Sequence, residues 1–335
     1  MKDAVIVLNF GEPPRPTLAE VVPFLERIFL ANAALEEHAT PEARQRRSRD
    51  LAERRAPGLI EEYEHIGSSP MNAQADGQAA ALAEALARRG RPLPVYSAFQ
   101  FTSPLVADVL ERARGDGITR LIGLPIYPLC GPSTTVAALN DVEAALRDHE
   151  GVAFIGIAGW HRHPSYPALR AGAIRRLADE RGLDLADPDT LLVFSAHGTP
   201  RRYLDEGSRY EEYVEELCED IASRLGVDRY ELGYQNHTNR NIEWTQPAIE
   251  DVVERVRAKR IIVDAVSFMH EQSETLAELD VELRRDAEGA GLDFHRVPIP
   301  HDDPTFVEML ADLVEGVIDG EARILTREGA AVPLY

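Results

Sequence analysis

The segment SFMHEQSETLAELD, residues 267–280, has the residue types and spacing best suited to chemistry in this chain. Carboxylates recur there every three or four positions, with no lysine or arginine between them. We call this set the acidic stripe, and its members are Glu271, Glu274, Glu278 and, just beyond the segment, Glu282. Like charges at this spacing destabilise a helix by roughly 0.2–0.5 kcal/mol per pair. The stripe is therefore either a solvated helix face or a place where a cation offsets the repulsion.

His197 is the best candidate for a proton acceptor. It ends the apolar run LLVFSAH and precedes a glycine turn, so its imidazole should project from the end of a rigid strand. Histidine titrates near neutrality and can take protons from a substrate, although a single histidine can equally be structural. Ser195 is a poor nucleophile, because its surroundings lack the Gly-x-Ser-x-Gly pattern of serine hydrolases. His161 and His163 could bind a metal, but a surface loop fits them better.

Strands and helices that could position these residues alternate along the chain. Short, continuous apolar runs occupy residues 4–10, 95–101, 120–128, 153–160, 190–198, 229–235, 260–268 and 293–300. Amphipathic helical segments lie between them. Continuous rather than alternating hydrophobicity indicates strands that are buried on both faces, as in a parallel sheet covered by helices. The pattern predicts a three-layer α/β fold.

The two halves of the sequence resemble each other. VLNFGEP (residues 7–13) aligns with FSAHGTP (residues 194–200), which places Phe10 opposite His197. RLIGLPIYPLCGPSTT (120–135) aligns in the same way with RIIVDAVSFMHEQSET (260–275). We therefore predict two similar Rossmann-like domains, each a four-stranded parallel sheet flanked by helices. The cleft between them should be lined by loops at the carboxyl ends of the strands.

The predicted domain division follows from this repeat. The first domain comprises residues 1–155 and a final helix, residues 304–320, that packs back across it; the second comprises residues 156–303 and carries the catalytic residues. The first half is longer because of a polar, strand-poor insert around residues 31–68. We assign no role to that insert or to the tail, residues 321–335.

Composition excludes several classes of function. The chain has 335 residues and a formal net charge of -21, whereas nucleic-acid binding through phosphate neutralisation needs a basic surface. Its two cysteines cannot form a disulfide framework or supply the four thiolates of an iron–sulfur cluster. No Gly-x-Gly-x-x-Gly follows the first strand, and no Walker loop occurs. Without a secretory signal or a long apolar stretch, the protein is expected in the cytoplasm.

Taken together, eight segments resemble those of the ferrochelatase family, enzymes that insert ferrous iron into a porphyrin in haem synthesis. They run in order along the chain: LNFGEP with VVPFLERIF, GSSPMNAQ, LPIYPLCGPSTT, FSAHGTP with a downstream GSRY, and YQNHTNRNIEWTQP with SFMHEQSETLAELD. The match extends from about residue 4 to residue 315. The Ser-Ala-His-Gly turn and the Glu-Thr-Leu-x-Glu-Leu-Asp run are its most specific parts. The resemblance implies two parallel-sheet domains with a porphyrin cleft between them.

The resemblance also implies roles for particular residues. His197 would be the base that accepts pyrrole protons, and Glu274 the facing carboxylate in the metal and proton path. Both would contact the metal. Glu271, Glu278 and Glu282 would continue that path to the surface along a helix, often with a π turn. Fe²⁺ suits carboxylate and imidazole ligands, so a row of weak oxygen sites would let it move and be released.

Other residues are candidates for binding the porphyrin. Apolar walls could bend the ring and exclude water, and the wall candidates are Phe10, Ile126, Tyr127, Trp244 and Phe268. Each could equally be ordinary core. The ring propionates need donors, and the weak candidates are Arg240 and, in the insert, Arg44, Arg46, Arg47 and Arg49.

The sequence also departs from the family pattern. Gln272 stands where histidine is frequent, which weakens any proton relay there, and Gln100 and Phe101 replace a common arginine and tyrosine. Phe10 occupies a variable position and cannot ligate a metal. His237, Asn239 and Arg240 replace a more usual arginine-glycine-proline stretch. Such changes could alter substrate choice or activity.

The sequence therefore predicts a ferrochelatase acting on protoporphyrin IX or coproporphyrin III. Fe²⁺ is a substrate and no cofactor is expected. The expected partners are the porphyrin and Fe²⁺, with no nucleic acid, at most peripheral membrane contact and a monomeric state. Two alternatives stay open: a cobalt or nickel chelatase of a related tetrapyrrole, and a bilobed tetrapyrrole-binding protein without turnover.

Overall fold

A computed structural model describes residues 2–35, 40–147, 151–237 and 242–320 of the 335-residue chain. Its eight strands are β1 (Asp3–Asn9), β2 (Val95–Phe99), β3 (Arg120–Pro125), β4 (Ala153–Gly156), β5 (Thr190–His197), β6 (Tyr230–Gln235), β7 (Arg260–Ala265) and β8 (Asp293–Arg296). They form two four-stranded sheets with the orders β2-β1-β3-β4 and β6-β5-β7-β8. All neighbouring strands are parallel. The predicted fold class is confirmed.

Helices connect and cover the strands. They are α1 (Leu18–Ala31), α2 (Pro41–Ile66), α3 (Met71–Arg88), α4 (Val106–Gly115), α5 (Ala137–Leu146), α6 (Ser165–Arg181), α7 (Arg201–Asp205), α8 (Tyr210–Leu225), α9 (Ile249–Arg255), α10 (Arg284–Gly289) and α11 (Pro304–Ile318). Two π-helical segments, π1 (Pro132–Val136) and π2 (Glu274–Leu283), precede α5 and α10. A short 3₁₀ turn spans Ala33–Leu35. None of the described helices is both long and apolar enough to cross a bilayer.

The central strands are buried because helices cover both of their faces. Ala4 to Leu8 of β1 are fully buried, and the interior of β5 is equally inaccessible. Each central strand therefore reads as an unbroken apolar run, because it has no solvent-facing side that would require alternation. Polar side chains can follow such a strand at its end, where helices no longer cover both faces.

The internal repeat is visible in the matching strand orders. β1 and β5 are the second strands of their sheets, and β3 and β7 both lead toward a π segment. Phe10 follows the end of β1 and His197 ends β5, so the alignment placed equivalent positions opposite each other. The shared order brings the carboxyl ends of both central strands to the edge of one cleft.

The two halves share much of one hydrophobic core. Leu8 of β1, Phe194 of β5 and Leu310 of α11 belong to the same buried cluster. α11 packs on α3 as well as on α6, and Arg89 at the end of α3 pairs with Glu308 at 2.6 Å. α11 therefore contacts helices from both halves. The predicted domain division stays a prediction.

α1 and α2 form a helical hairpin that contains most of the polar insert. Their facing surfaces form a separate apolar cluster that includes Phe24, Phe29, Ala52 and Leu59. One end of α1 reaches the cleft, where Ile28 and Phe29 line its wall. The hairpin therefore builds one side of the candidate site.

Candidate functional site

The cleft between the two sheets encloses about 1240 Å³ of space, part of it open to solvent. Its walls are mostly apolar, and each of the five predicted wall residues lines it: Phe10, Ile126, Tyr127, Trp244 and Phe268. A group of polar side chains faces the same space from one side, consisting of His197, His237 and Glu274. A flat apolar ligand that carries a reactive polar centre would fit such a lining.

His197 is held rigidly at the end of β5. Its backbone N–H donates to Ser267 Oγ at 2.8 Å, and its carbonyl accepts from the Tyr210 hydroxyl at 2.9 Å. Nδ1 of the ring lies 2.6 Å from the Gly198 carbonyl oxygen. A carbonyl can only accept, so Nδ1 carries the hydrogen. Nε2 is therefore the ring atom that faces the cleft.

Gly198 allows the loops after β5 and β6 to approach closely. Its N–H donates to the Gln235 carbonyl at 2.7 Å. A Cβ at Gly198 would lie 2.8 Å from the backbone carbonyl oxygen of Gln235, so a side chain there would push the two loops apart. Because His197 pairs in register with Gln235, His237 follows two residues beyond the same sheet edge. The register therefore brings the two imidazoles together.

Three ligand-type atoms meet at this edge. Nε2 of His197 lies 3.1 Å from Nε2 of His237 and 3.3 Å from Oε1 of Glu274. His237 Nε2 lies 3.4 Å from that same carboxylate oxygen. Among the described residues, these three side chains form the group suited to hold a metal ion, and all three are half-buried. Two imidazoles with one carboxylate are a ligand set typical of Fe²⁺.

The close contact shifts the protonation of His197 and Glu274. Burial alone would lower the pKa of His197, but the Glu274 carboxylate outweighs it and raises that pKa to about 9. Burial likewise acts to raise the pKa of Glu274, but the His197 imidazolium holds it below its ordinary value. Without metal, the pair is therefore an imidazolium and a carboxylate at neutral pH.

The acidic stripe is only partly brought to the site. Glu274 opens π2, and Glu278 and Glu282 follow at intervals of four, close to one face of a helix whose turns hold between four and five residues. Glu278 is half-buried and Glu282 exposed, so the row leads outward. Burial and then the charge of Glu274 raise the pKa of Glu278 to about 7. The π-helical form that the resemblance implied is therefore present, and the roles of Glu278 and Glu282 in handling metal or protons stay predictions.

Glu271 lies outside that row. One of its carboxylate oxygens accepts from Arg296 Nη1 at 2.9 Å and from the Ile299 N–H at 2.9 Å. The other accepts from the Thr275 hydroxyl at 2.7 Å. To bind a metal it would have to give up an ion pair that is largely shielded from water. Its geometry therefore favours a structural role, and its predicted role as a metal ligand stays a prediction.

Several predicted contacts are absent from the described part of the cleft. Arg240 lies outside the described residues. Arg44, Arg46 and Arg49 are exposed on α2, and none of the four insert arginines, Arg47 included, lines the described cleft. Arg49 pairs with Glu26 at 2.9 Å and with Glu53 at 2.7 Å. The propionate-binding residues therefore stay a prediction.

Gln100 and Phe101, which differ from the usual residues of the family pattern, are both accommodated by contacts behind the cleft wall. Gln100 is buried behind the cleft wall, where it accepts from the Tyr127 hydroxyl at 2.8 Å and donates to Asp141 at 3.2 Å. Phe101 packs on Phe10 with 4.6 Å between ring centroids. These residues orient two cleft-wall side chains and do not themselves line the cleft.

Gln272 holds the second oxygen of the catalytic carboxylate candidate. Its side-chain N–H donates to Oε2 of Glu274 at 2.8 Å, which leaves Oε1 facing the two imidazoles. An amide cannot titrate, so Gln272 orients Glu274 but does not relay protons.

A buried carboxylate, Glu12, ties the start of π2 to the first half. Its side chain accepts from the Tyr63 hydroxyl at 2.9 Å, from the Ser69 hydroxyl, and from both the hydroxyl and the N–H of Ser273. Ser273 directly precedes Glu274. Burial raises the pKa of Glu12, although these hydrogen bonds oppose the shift. Glu12 therefore fixes where π2 begins relative to the opposite wall.

The other candidate residues have structural environments. Ser195 is buried and donates to Gln235 Oε1 at 2.9 Å. His161 is buried against Glu216 and Tyr213, so the expectation that it lies on a surface loop is wrong. His163 also packs inside, 3.9 Å from Asp312. Neither histidine belongs to the metal-suited group.

His237 is the site residue that sequence reasoning missed. The motif comparison treated it as a departure from a family pattern, because a pattern does not say which side chains face the cleft. The available signal was positional: His237 follows a buried strand end, just as His197 ends one. The register between β5 and β6 was needed to join them.

Comparisons with known proteins agree with this geometry. A family model described as Ferrochelatase matches residues 2–317. A ferrochelatase of Synechococcus sp. strain RCC307 is 33% identical over 340 residues, covering 98% of this chain and 86% of the relative. That of Synechococcus sp. strain JA-3-3Ab is 33% identical over 343 residues, covering 99% and 96%. SirB from Bacillus subtilis with Fe³⁺ has a TM-score of 0.58 at 9% identity, covering 96% of this chain and 97% of SirB, which shows a shared fold.

Proposed function

Because the chain belongs to the ferrochelatase family and is a tetrapyrrole metal chelatase, we propose that it inserts ferrous iron into protoporphyrin IX or coproporphyrin III in haem biosynthesis. The observation that carries the proposal is the 3.3 Å contact between His197 and Glu274 beside an apolar cleft. A protein that only binds a porphyrin would not need a proton acceptor and an anionic ligand at that point.

The pKa values favour an order of events. The free site holds a proton on His197 beside the Glu274 carboxylate, so incoming Fe²⁺ must displace that proton before it can bind Nε2. Glu278, whose pKa of about 7 lets it gain or lose a proton near neutrality, can take the proton toward the surface. Fe²⁺ thereby enters along the same row of carboxylates that carries protons out.

The porphyrin then exchanges two N–H protons for one metal ion. As Fe²⁺ moves to the ring nitrogens, Nε2 of His197 is released from the metal and accepts one pyrrole proton, and the carboxylates of π2 can carry the other toward the surface. The apolar wall that includes Ile126 and Phe268 excludes water from this exchange, which strengthens the electrostatic attraction between metal, carboxylate and ring.

The setting of the reaction is also part of the proposal. A monomeric enzyme with at most peripheral membrane contact is part of this proposal. Cys130 and Cys218 are buried free thiols, and Fe²⁺ must remain reduced, which supports the cytoplasm as the location.

The test is to mix the purified protein anaerobically with Fe²⁺ and each porphyrin, and to follow the absorption bands of the ring. We expect insertion by the wild type with at least one porphyrin and a loss of about 10²-fold or more in His197→Ala. Parallel reactions with Co²⁺ and Ni²⁺ compare the rates at which the protein inserts the three metal ions. Binding without insertion of any metal would overturn the proposal.

A further inference from the structure

We infer that His237 is a third protein ligand of the incoming metal, so that iron is held by two imidazoles and one carboxylate before it enters the ring. The inference rests on the proposed function, because it describes how the substrate ion is held. None of the resemblances assigns a role to this residue. Position 237 is one of the places where the sequence departs from the family pattern.

The spacing of the three atoms fits a bound ion. An ion about 2.1 Å from each ligand, with angles between 90° and 109°, separates those ligand atoms by roughly 3.0–3.4 Å. The three separations here are 3.1, 3.3 and 3.4 Å. The same three side chains line the cleft, so the open side of such an ion would face the ring.

The surrounding contacts direct the ligand atoms inward. The hydrogen on Nδ1 of His197 is engaged by the Gly198 carbonyl, which leaves Nε2 for the metal. Gln272 occupies Oε2 of Glu274 and leaves Oε1. Hydrogen bonds of this kind, made by the atoms that do not bind the metal, are what orient ligands in metal sites.

A packing role is the alternative explanation for His237. Its ring meets Trp244 edge to face with 5.5 Å between centroids, and an aromatic contact alone could hold it there. A purely packing residue would not need its Nε2 within 3.4 Å of a carboxylate oxygen. Phenylalanine at 237 would keep the aromatic contact and remove the nitrogen, so this substitution separates the two roles.

Three ligands also account for the two protons that the ring loses. When one Fe²⁺ leaves the three side chains for the ring, two Fe–imidazole bonds break and two pyrrole N–H bonds are lost. Each released imidazole can take one proton, so one divalent cation is replaced by two protons and the charge balances.

The experiment titrates Co²⁺ into the porphyrin-free protein and follows binding by calorimetry and by the visible absorption of the ion. We expect His237→Phe and His237→Ala to bind Co²⁺ about tenfold or more weakly than the wild type. His65→Phe, which changes an exposed histidine on α2, should bind it as the wild type does. Unchanged affinity in His237→Phe would overturn the inference.

Pulsed electron paramagnetic resonance of bound Cu²⁺ provides an independent count of coordinated imidazoles. We expect two in the wild type and one in His237→Phe; a count of one in the wild type would overturn the inference. If these tests fail but the protein still inserts iron, only the assignment of His237 as a metal ligand is overturned, and the proposed function stands. A wild type that binds Co²⁺ as expected but inserts no metal overturns the proposed function and leaves the ligand assignment standing.

Discussion

Nε2 of His197 lies 3.3 Å from Oε1 of Glu274, and this contact joins the end of β5 to the first residue of π2. Each partner alone is an ordinary side chain at the end of a secondary-structure element. Together they form an imidazolium–carboxylate pair in which a divalent cation can displace the imidazolium proton and bind both side chains.

The first prediction separates metal handling from ring binding. Glu274→Gln keeps the shape of the side chain but removes the anionic ligand, so we expect metal insertion to fall by about 10²-fold or more. Porphyrin affinity should stay within about twofold, because the apolar walls are unchanged. Insertion is followed by absorption and ring binding by fluorescence titration. Glu282→Gln, at the exposed end of the row, is the milder control, and normal turnover in Glu274→Gln would contradict the prediction.

The second prediction concerns the proton on His197. In the wild type without metal, Glu274 holds the pKa of His197 at about 9 against the effect of burial. In Glu274→Gln that attraction disappears, while the Gly198 carbonyl and Glu278 still favour the imidazolium against burial, so the His197 pKa should fall from about 9 toward its ordinary value of about 6.5. The measurement is an NMR titration of the imidazole resonances. A His197 pKa that remains near 9 would mean that another group stabilises the imidazolium.

Sequence patterns predicted the fold well because burial on both faces leaves a clear trace in parallel strands. Each apolar run became a strand, and the aligned motifs placed Phe10 and His197 at equivalent strand ends. The π-helical segment at Glu274 was implied by resemblance. These features depend on local sequence or on a repeated motif, and both can be read without coordinates.

What the sequence did not reveal depends on long-range register and on competing partners. His237 reaches the metal-suited group because β6 pairs with β5 in one register, and Glu271 lies outside the row of π2 carboxylates, where it pairs with Arg296 at 2.9 Å. Neither relationship follows from spacing along the chain. A helical stripe predicts which residues share a face but not which of them already have an ion-pair partner.

The third prediction tests the anchor of π2. Glu12→Ala leaves the hydroxyls of Tyr63 and Ser69 and both donors of Ser273 without their acceptor. We expect the free energy of unfolding to fall by about 2–5 kcal/mol, since buried donors would lose a charged acceptor. Ser273→Ala should cost less, about 1–2 kcal/mol, because one donor remains on the backbone. Urea unfolding measures both, and equal losses would argue against this network.

The fourth prediction concerns the buried ion pair behind the cleft. Arg170 of α6 and Asp264 of β7 are both inaccessible and lie 2.5 Å apart, and Arg170 also donates to the carbonyls of Ala265 and Phe268. Arg170→Met or Asp264→Leu alone should each cost about 3–5 kcal/mol, because the remaining charge is buried without its partner. The double variant should cost clearly less than the two single losses added together. A double-mutant cycle by chemical unfolding measures this, and strict additivity would refute the coupling.

The fifth prediction uses a buried histidine that does not belong to the metal-suited group. Burial lowers the pKa of His161 to about 4, although Glu216 opposes the shift. Between about pH 6.5 and pH 4 the unfolded chain therefore binds a proton that the folded chain does not, and the folded state loses about 1.4 kcal/mol per pH unit as the pH falls. His161→Phe keeps a ring against Tyr213 but cannot titrate, so relative to the wild type it should gain about 2 kcal/mol between pH 7.5 and pH 5. Urea unfolding at both pH values measures the change, and His65→Phe is the exposed control. If the stability difference between His161→Phe and the wild type does not depend on pH, His161 does not cause this pH dependence.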